Sequence, residues 1–401
     1  RNKAVEQIFA NQISLQGSFK TGKIKHQLFT GIDTELANTD AYTFKFFNAT
    51  TGAFVTNYDQ VNIFNPASYD QANEGPVLPS RATKIVKTET GRYGIYAQDL
   101  ISFTDQFKVL AGIRYSYQEA KPVTYDLDAN TVKEETIRND RAFSPKVGLI
   151  YQPLKTLTLF SSYSNSFTPN TGVTIDNEAI KPSIIDQFEA GIKNEFLNGA
   201  LTTNLTFYQI VNSNLAQMAE FDANGNINTN NQVKSLSGET TSKGFEIDIT
   251  YKPLVDFNIN AGYSYNDMRY TKTSGLTGSF IEGDRLTRTP QHTANLSFFY
   301  KLPSGMFKNL SFGAIGNYTG NRVAGWNNQI NPTYPNGIYD REIPLNGYTS
   351  IDASVGYDWK NISILCKLSN ITNELNYTVH ENYSVNPIAP RQVMTSIRYK
   401  F

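Results

Sequence analysis

The chain of 401 residues holds a single cysteine, Cys366, and only three histidines, His26, His292 and His380. One thiol excludes an internal disulfide, and histidines so far apart in sequence offer no metal-ligand spacing. Charge is sparse and balanced, with 36 basic against 36 acidic residues making up 18% of the chain. A net charge of zero provides no global field for nucleic acid. No run of 18 apolar residues occurs. That excludes transmembrane helices but not transmembrane strands, in which only every second residue faces lipid. An initiating Met and a signal-peptide pattern are also missing, so the expectation is a portion of a longer protein.

What the sequence has in quantity is Tyr (24) and Phe (25), with a mean hydropathy of −0.40. Such a mix favours strands. Fifteen stretches read as strands of about 9 to 12 residues, at 8–19, 25–33, 87–100, 107–117, 141–151, 156–165, 185–195, 200–210, 241–251, 256–266, 290–300, 309–319, 347–358, 361–370 and 391–401. No amphipathic helix interrupts them. The connections alternate in length. Short ones ("KTGKI", "TDQ", "QPLK", "FLNG", "KPLVD", "LPSGMFK" and the join at Trp359–Lys360) are followed by long ones at 34–86, 118–140, 166–184, 211–240, 267–289, 320–346 and 371–390. Short turns at one end and long loops at the other mark an outer-membrane barrel. A soluble Tyr-rich sandwich or propeller mixes its loop lengths.

The strand phases carry the same message. In "GFEIDITY", Phe245, Ile247, Ile249 and Tyr251 oppose Glu246, Asp248 and Thr250. In "FNINAGYSYN", Phe257, Ile259, Ala261, Tyr263 and Tyr265 oppose Asn258, Asn260, Gly262, Ser264 and Asn266. "TSIDASVGYD" and "ISILCKLS" repeat the pattern, with Ile351, Ala353, Val355 and Tyr357, then Ile362, Ile364, Cys366 and Leu368, on the apolar phase. No charge falls on that phase in any of the four, as expected where a midplane Arg or Lys costs ~2–4 kcal/mol. The opposite phase is too polar for a packed core. One misfit is Asp99, which shares the phase of Tyr93, Ile95 and Ala97 and is placed at the membrane rim. The chain ends on "RQVMTSIRYKF", with Val393, Thr395, Ile397, Tyr399 and Phe401 on one face. That strand is expected to be paired to its last residue.

Several stretches in order resemble the TonB-dependent receptors, specifically their ferric-siderophore branch of ferrichrome type. "YGIYAQDLI" with "VLAGIRYSY" is similar to a mid-barrel hairpin, and "FSPKVGLIYQP" with "LTLFSSYSNSFTP" to the next. "IKPSIIDQFEAGIKN", "KGFEIDITYKP" and "GDRLTRTPQH" follow, then "LNGYTSIDASVGY", "LSNITNELNY" and "PRQVMTSIRYKF". The resemblance implies an all-β, transmembrane antiparallel β-barrel of 22 strands, of which residues 1–401 supply about fifteen from the C-terminal portion. A plug domain and the first strands then lie upstream. It also implies TonB-dependent import of a ferric siderophore across the bacterial outer membrane, with iron carried inside the cargo and no cofactor bound directly. Implied partners are the TonB complex, the barrel-assembly machinery and outer-membrane lipid, with no nucleic acid and a monomeric state. The terminal Phe401, with Tyr399 and Ile397, resembles the assembly signal of such barrels. The remaining readings are a receptor of the same architecture for cobalamin, haem or a glycan, and a passive porin.

A ferric siderophore requires aromatic surface, convergent polar groups and, if anionic, cations. Strand direction selects Arg92, Tyr96 and Arg114 on the inward wall, and Phe167, Arg322, Trp326, Tyr334, Tyr339, Tyr377 and Tyr383 in outer loops. Tyr348 and Gln392 fall near strand tops. Belt packing, for the aromatics, and wall ion pairs, for the arginines, are the competing roles. Two motifs are decoys. "GSFKTGKI" lacks the Ser or Thr and the helix of a phosphate loop, and "FDANGNIN" has its Gly too early for a calcium loop, so both are expected to be turns. No Gly-x-Ser-x-Gly, His-Glu-x-x-His or Cys-x-x-Cys is present, and nothing marks an enzyme.

Overall fold

The computed structural model describes residues 2–55, 78–219, 221–222, 224–226, 228–230, 232–274, 280–326, 342–381 and 384–401. All fifteen expected strands are present. They are β1 (Asn2–Thr21), β2 (Ile24–Phe47), β4 (Ser80–Ser102), β5 (Phe107–Asp126), β7 (Arg138–Leu154), β8 (Leu157–Thr168), β9 (Ser183–Phe196) and β10 (Leu201–Met218), followed by β11 (Lys234–Leu254), β12 (Phe257–Lys272), β13 (His292–Lys301), β14 (Leu310–Thr319), β17 (Tyr348–Trp359), β18 (Ile362–Ser369) and β21 (Gln392–Tyr399). Six short strands lie between them: β3 (Phe54–Val55), β6 (Thr131–Glu134), β15 (Arg322–Trp326), β16 (Glu342–Leu345), β19 (Tyr377–Glu381) and β20 (Ser384–Pro387). The long strands together with β3 and β6 form one 17-stranded sheet, while β15–β16 and β19–β20 are separate ribbons. The only helical element among the described residues is a single 3-10 turn, Leu197–Gly199.

Two compact units are distinguished. One comprises Arg1–Gln16, Phe29–Ala97 and Arg114–Phe143, the other Gly17–Leu28, Gln98–Ile113 and Ser144–Phe401. In the second, successive strands pair antiparallel as neighbours from β7 through to β14, then β17, β18 and β21.

The register of that ladder tests the phase assignment directly. Tyr151, Leu159, Ile192, Leu205, Ile247, Tyr263, Ala294 and Tyr318 are successive cross-strand partners, an apolar row without a charge. The opposite face holds the row Thr158, Lys193, Asn204, Asp248, Gly262, Asn295, Asn317 and Ser350. A one-residue slip anywhere would have mixed the two. Towards the long-loop end the apolar face carries an aromatic belt. Phe207, Phe245, Tyr265 and His292 follow one another at ring separations of 5.9, 5.9 and 5.2 Å, as amphipathic rings do at a membrane interface.

Four corrections follow. The strands are longer than expected: β2 has 24 residues, β4 has 23 and β11 has 21. Crossing a bilayer needs ~9–11, so much of 118–140 and 211–240, and the ends of 34–86 and the start of 267–289, are continuing strand rather than loop. The polar face is also less uniform than expected, because Phe299 and Met394 share the row Phe299, Gly313, Ser354, Lys367 and Met394. Asp99 is no bare charge, since its Oδ2 lies 2.6 Å from Nδ1 of His26, whose ring stacks on Phe19 at 4.5 Å. Finally, β21 ends at Tyr399. The Lys400 N–H still donates to the Asn361 carbonyl at 2.9 Å, but Phe401 is wholly exposed and touches Tyr399 edge-on at 5.1 Å.

Both decoys are turns. Gly22, at φ 64°, heads the tight turn between β1 and β2, and Asp222 Oδ1 accepts the backbone N–H groups of Asn224 and Asn226. The buried apolar residues among those described are Ala37, Ile180, Ala219, Val323 and Ala324. All of them fall within the long connections of the sequence reading. A one-layer sheet has no second layer to bury its faces.

Candidate functional site

In the first unit, the inward phase of β2, β4 and β5 gathers the three predicted wall residues. Arg114 reaches Asp33 with a two-pronged contact, Nη1 to Oδ2 at 2.7 Å and Nη2 to Oδ1 at 2.8 Å, and its Nε donates to Ser116 Oγ at 2.8 Å. The guanidinium centre sits 5.7 Å from the Tyr96 ring, a cation–π separation. The Tyr96 hydroxyl accepts from Gln12 Nε2 at 2.8 Å, and its backbone carbonyl accepts from Thr30 Oγ1 at 2.8 Å. Two glycines make the arrangement possible. A Cβ on Gly94 would collide with the Arg114 guanidinium, and one on Gly31 with the Tyr96 hydroxyl. Arg92 pairs with Glu35 and donates from Nε to Gln118 Oε1 at 2.8 Å.

These arginines are therefore answered by Asp33 and Glu35, which sit two residues apart on the inward phase of β2. Besides these ion pairs the wall presents an aromatic ring and two neutral amides, Tyr96, Gln12 and Gln118, themselves linked by hydrogen bonds to Arg92 and to one another. The sequence reading missed Asp33, Glu35 and Gln118. Their alternation against Ile32, Thr34 and Leu36 was a usable signal for their facing inward. The arginines that pair with Glu35 and Asp33 lie 57 and 81 residues away, and the one that donates to Gln118 lies 26 away, so the pairing needed the register.

In the second unit, the long-loop end is tied into a node around Arg322. This residue is 4% exposed. Its Nη2 donates to the Asn346 carbonyl and to Asn376 Oδ1, both at 2.9 Å, and its guanidinium lies 5.0 Å from the Tyr348 ring. The Gly347 N–H donates to Asn321 Oδ1 at 2.8 Å, the Arg288 N–H to the Val323 carbonyl at 3.1 Å, and the Arg285 N–H to Glu342 Oε1 at 3.1 Å. Arg322 thus ties Asn346 to Asn376, and backbone donors at Arg285 and Arg288 reach Glu342 and Val323 beside it. A free cation at the mouth was expected here, and the structure has one enclosed by loop backbone instead. The partners Asn346 and Asn376 left no sequence signal beyond their polarity.

The other predicted residues are dispersed. Phe167, expected in a loop, belongs to β8 opposite Ile184 and is half-buried. Tyr348 opens β17 opposite Thr319, Tyr377 opens β19 opposite Pro387, and Gln392 opens β21 opposite Ser369. Trp326 pairs through its backbone with Glu342. Tyr334, Tyr339 and Tyr383 lie outside the described residues.

Further groups at this end are shifted by their surroundings. Burial pushes the Tyr270 phenol up to about 12, and its ring stacks on Phe280 at 4.3 Å. The Lys272 ammonium, 2.7 Å from Glu239, and the Thr271 hydroxyl hold the Glu239 carboxyl below the ordinary range. Among the described residues, no three His, Cys, Asp or Glu side chains gather to hold a metal ion.

The family model described as TonB dependent receptor-like, beta-barrel matches residues 3–373. The metal-pseudopaline receptor CntO of Pseudomonas aeruginosa is 24% identical over 97% of this chain and 51% of its own length. The ferrichrome outer membrane transporter/phage receptor of Escherichia coli is 25% identical over 98% of this chain and 48% of its own. Among solved structures, the siderophore receptor PiuA of Acinetobacter baumannii superposes with a TM-score of 0.79 at 19% identity, covering all of this chain and 56% of that one. The chain spans about half the length of the curated relatives it matches.

Proposed function

The chain belongs to the TonB-dependent receptor β-barrel family of the bacterial outer membrane, and we propose that the whole receptor imports a ferric siderophore by energy-coupled transport. The observation that carries this reading is the inward Tyr96–Arg114–Gln12 group, an aromatic face edged by polar donors and held in place by Gly31 and Gly94. Such a surface suits a bulky, polar, oxygen-rich complex. A passive pore has no use for glycine clearances that fix one ring and one guanidinium.

In this reading iron is cargo within the complex, and the protein supplies no direct ligand to it. Arg92, Tyr96 and Arg114 line the wall that meets the cargo in the first unit. Arg322 acts by holding the outer segments in position. The long-loop end faces outward, the short turns face the periplasm, and coupling to TonB runs through a part of the receptor outside these residues. The receptor works as a monomer, surrounded by outer-membrane lipid and inserted by the barrel-assembly machinery. The likeness to a metal-pseudopaline receptor favours, as a second reading, the same transport applied to a complex of another metal.

The test is binding by the purified full-length receptor, followed by quenching of intrinsic fluorescence. A ferric siderophore should saturate the signal, and its iron-free ligand should bind more weakly. Tyr96→Ala should weaken binding by roughly tenfold, the scale of ~1–2 kcal/mol for a desolvated aromatic contact. Full affinity in Tyr96→Ala, together with equal affinity for the iron-free ligand, would remove the proposal.

A further inference from the structure

The seven short turns, all of them in the second unit, repeat one pairing of residues. In five of them a lysine stands within two residues of an exposed apolar side chain: Phe107 with Lys108, Leu154 with Lys155, Leu254 with Lys252, Phe307 with Lys308 and Trp359 with Lys360. In two of these turns the apolar tip is barer still, since Val255 is wholly exposed and Met306 is 87% exposed. Apolar side chains left bare at turn after turn call for an apolar neighbour outside the chain.

Charge follows the same pattern. Segments 20–25, 101–108, 153–158, 195–202, 252–258, 300–311 and 358–363 hold nine lysines, no arginine and four carboxylates, a net charge of +5 in a chain whose total is zero. Two of these lysines are answered, Lys25 by Asp105 at 2.9 Å and Lys301 by Asp358 at 2.8 Å. The other seven have no ion pair among the described residues. At one turn the cation and the apolar surface are in direct contact, with the Lys360 ammonium 5.3 Å from the centre of the Trp359 ring.

The apolar members continue the lipid-facing phase of the strands. Leu154 opposes Leu157, Phe196 opposes Leu201, Leu254 opposes Phe257 and Trp359 opposes Ile362. The turns are therefore continuous with the face that meets hydrocarbon, and their lysines stand at the level where headgroups begin. A partner protein would cover one patch. A pairing repeated from turn to turn along the edge of a sheet meets a plane.

We infer that the short-turn end binds the headgroups of anionic phospholipid in the leaflet it adjoins. The apolar side chains seat at the acyl border, the lysine stems lie along that border, and the ammonium groups reach out to the phosphates. Unpaired lysines beside a membrane surface favour lipids of net negative charge over zwitterionic ones. This inference rests on the membrane-spanning sheet and is independent of the cargo.

The full-length receptor in phosphatidylcholine vesicles provides the test. The probes are spin-labelled phosphatidylglycerol and phosphatidylcholine with identical chains, whose motionally restricted fractions give their relative association with the protein. At about 20 mM salt phosphatidylglycerol should be preferred ~threefold, and the preference should shrink towards unity near 500 mM, where screening falls to a few ångströms. The triple variant Lys155→Gln, Lys308→Gln, Lys360→Gln should at least halve the low-salt preference with folded yield unchanged. The matched triple at the long-loop end, Lys121→Gln, Lys133→Gln, Lys272→Gln, should leave it intact. No preference in the parent receptor, or equal losses in the two triples, would overturn the inference. So would binding of a polyglutamate peptide to the detergent-purified receptor, lost in the first triple and accompanied by no lipid preference, which would assign the surface to an acidic protein instead.

Discussion

Placing Arg at position 249 or at position 248 inserts the same side chain one residue apart, on opposite faces of β11. Ile249 has Thr203 and Ala261 as cross-strand partners, and the row continues through Leu296, Gly316 and Ile351. No member of the row is charged, so an arginine there meets hydrocarbon without a counter-ion, at a cost of ~2–4 kcal/mol near the midplane. Asp248 instead opposes Asn204 and Gly262, with a long contact from Asn204 Nδ2 at 3.5 Å. Beyond Asn204 lies Lys193, two strand spacings or ~10 Å away, where a new like charge in water costs ~0.4 kcal/mol. With the weak hydrogen bond added, Asp248→Arg should cost less than about 1 kcal/mol. The folded-to-unfolded ratio should therefore fall ~30- to 1,000-fold for Ile249→Arg and less than about fivefold for Asp248→Arg. Urea unfolding of the full-length receptor in lipid vesicles, read by tyrosine and tryptophan emission, measures both. Equal losses, or a greater loss for Asp248→Arg, would refute the face assignment and with it the membrane reading of this sheet.

Phe401 is wholly exposed, so Phe401→Ser should lower the yield of heat-modifiable folded receptor through assembly and leave the affinity of the folded fraction unchanged; a normal yield would remove the assembly role of Phe401, Tyr399 and Ile397. Trimming the exposed turn at 303–307 should leave siderophore affinity intact, whereas replacing 320–346 by a short turn should weaken it while folding survives, because surface-loop changes cost little closure entropy. The Glu239 carboxyl is depressed in the folded state, so its contribution is fully present above the ordinary glutamate value of 4.5 and is lost as pH falls through the lower folded value. Amide exchange at the end of β12, corrected for intrinsic rate, should therefore be unchanged from about pH 7 to 5 and should rise only below about 4.5.

Strand positions and faces were legible because lipid imposes the same requirement on every crossing. Each strand must repeat the two-residue alternation without a charge on one side, so each strand is an independent reading of one rule. The outer extensions of β2, β4 and β11 escaped because that rule stops at the interface. Above it both faces meet water, alternation such as "NTDAYTFKFF" loses its meaning, and strand continues on the strength of ladder hydrogen bonds alone. Asp99 shows the limit from the other side. Its phase was read correctly, but the histidine that makes a carboxylate tolerable there sits 73 residues upstream.

The site was legible only in half, for a related reason. Alternation states that Arg92, Tyr96 and Arg114 point inward, yet whether an inward arginine is available to cargo depends on the residue opposite it across the sheet. That residue is fixed by register between strands far apart in sequence, and the glycines at 31 and 94 that admit the ring and the guanidinium carry no signature of their own. Arg322 makes the point most sharply. By composition it stands among aromatic residues in a long connection, the setting of a ligand-binding cation, yet it is buried and donates to the Asn346 carbonyl and the Asn376 side chain. Composition alone therefore overstates how many of these arginines stand free, since Asp33 and Glu35 pair with Arg114 and Arg92 while Arg322 is buried.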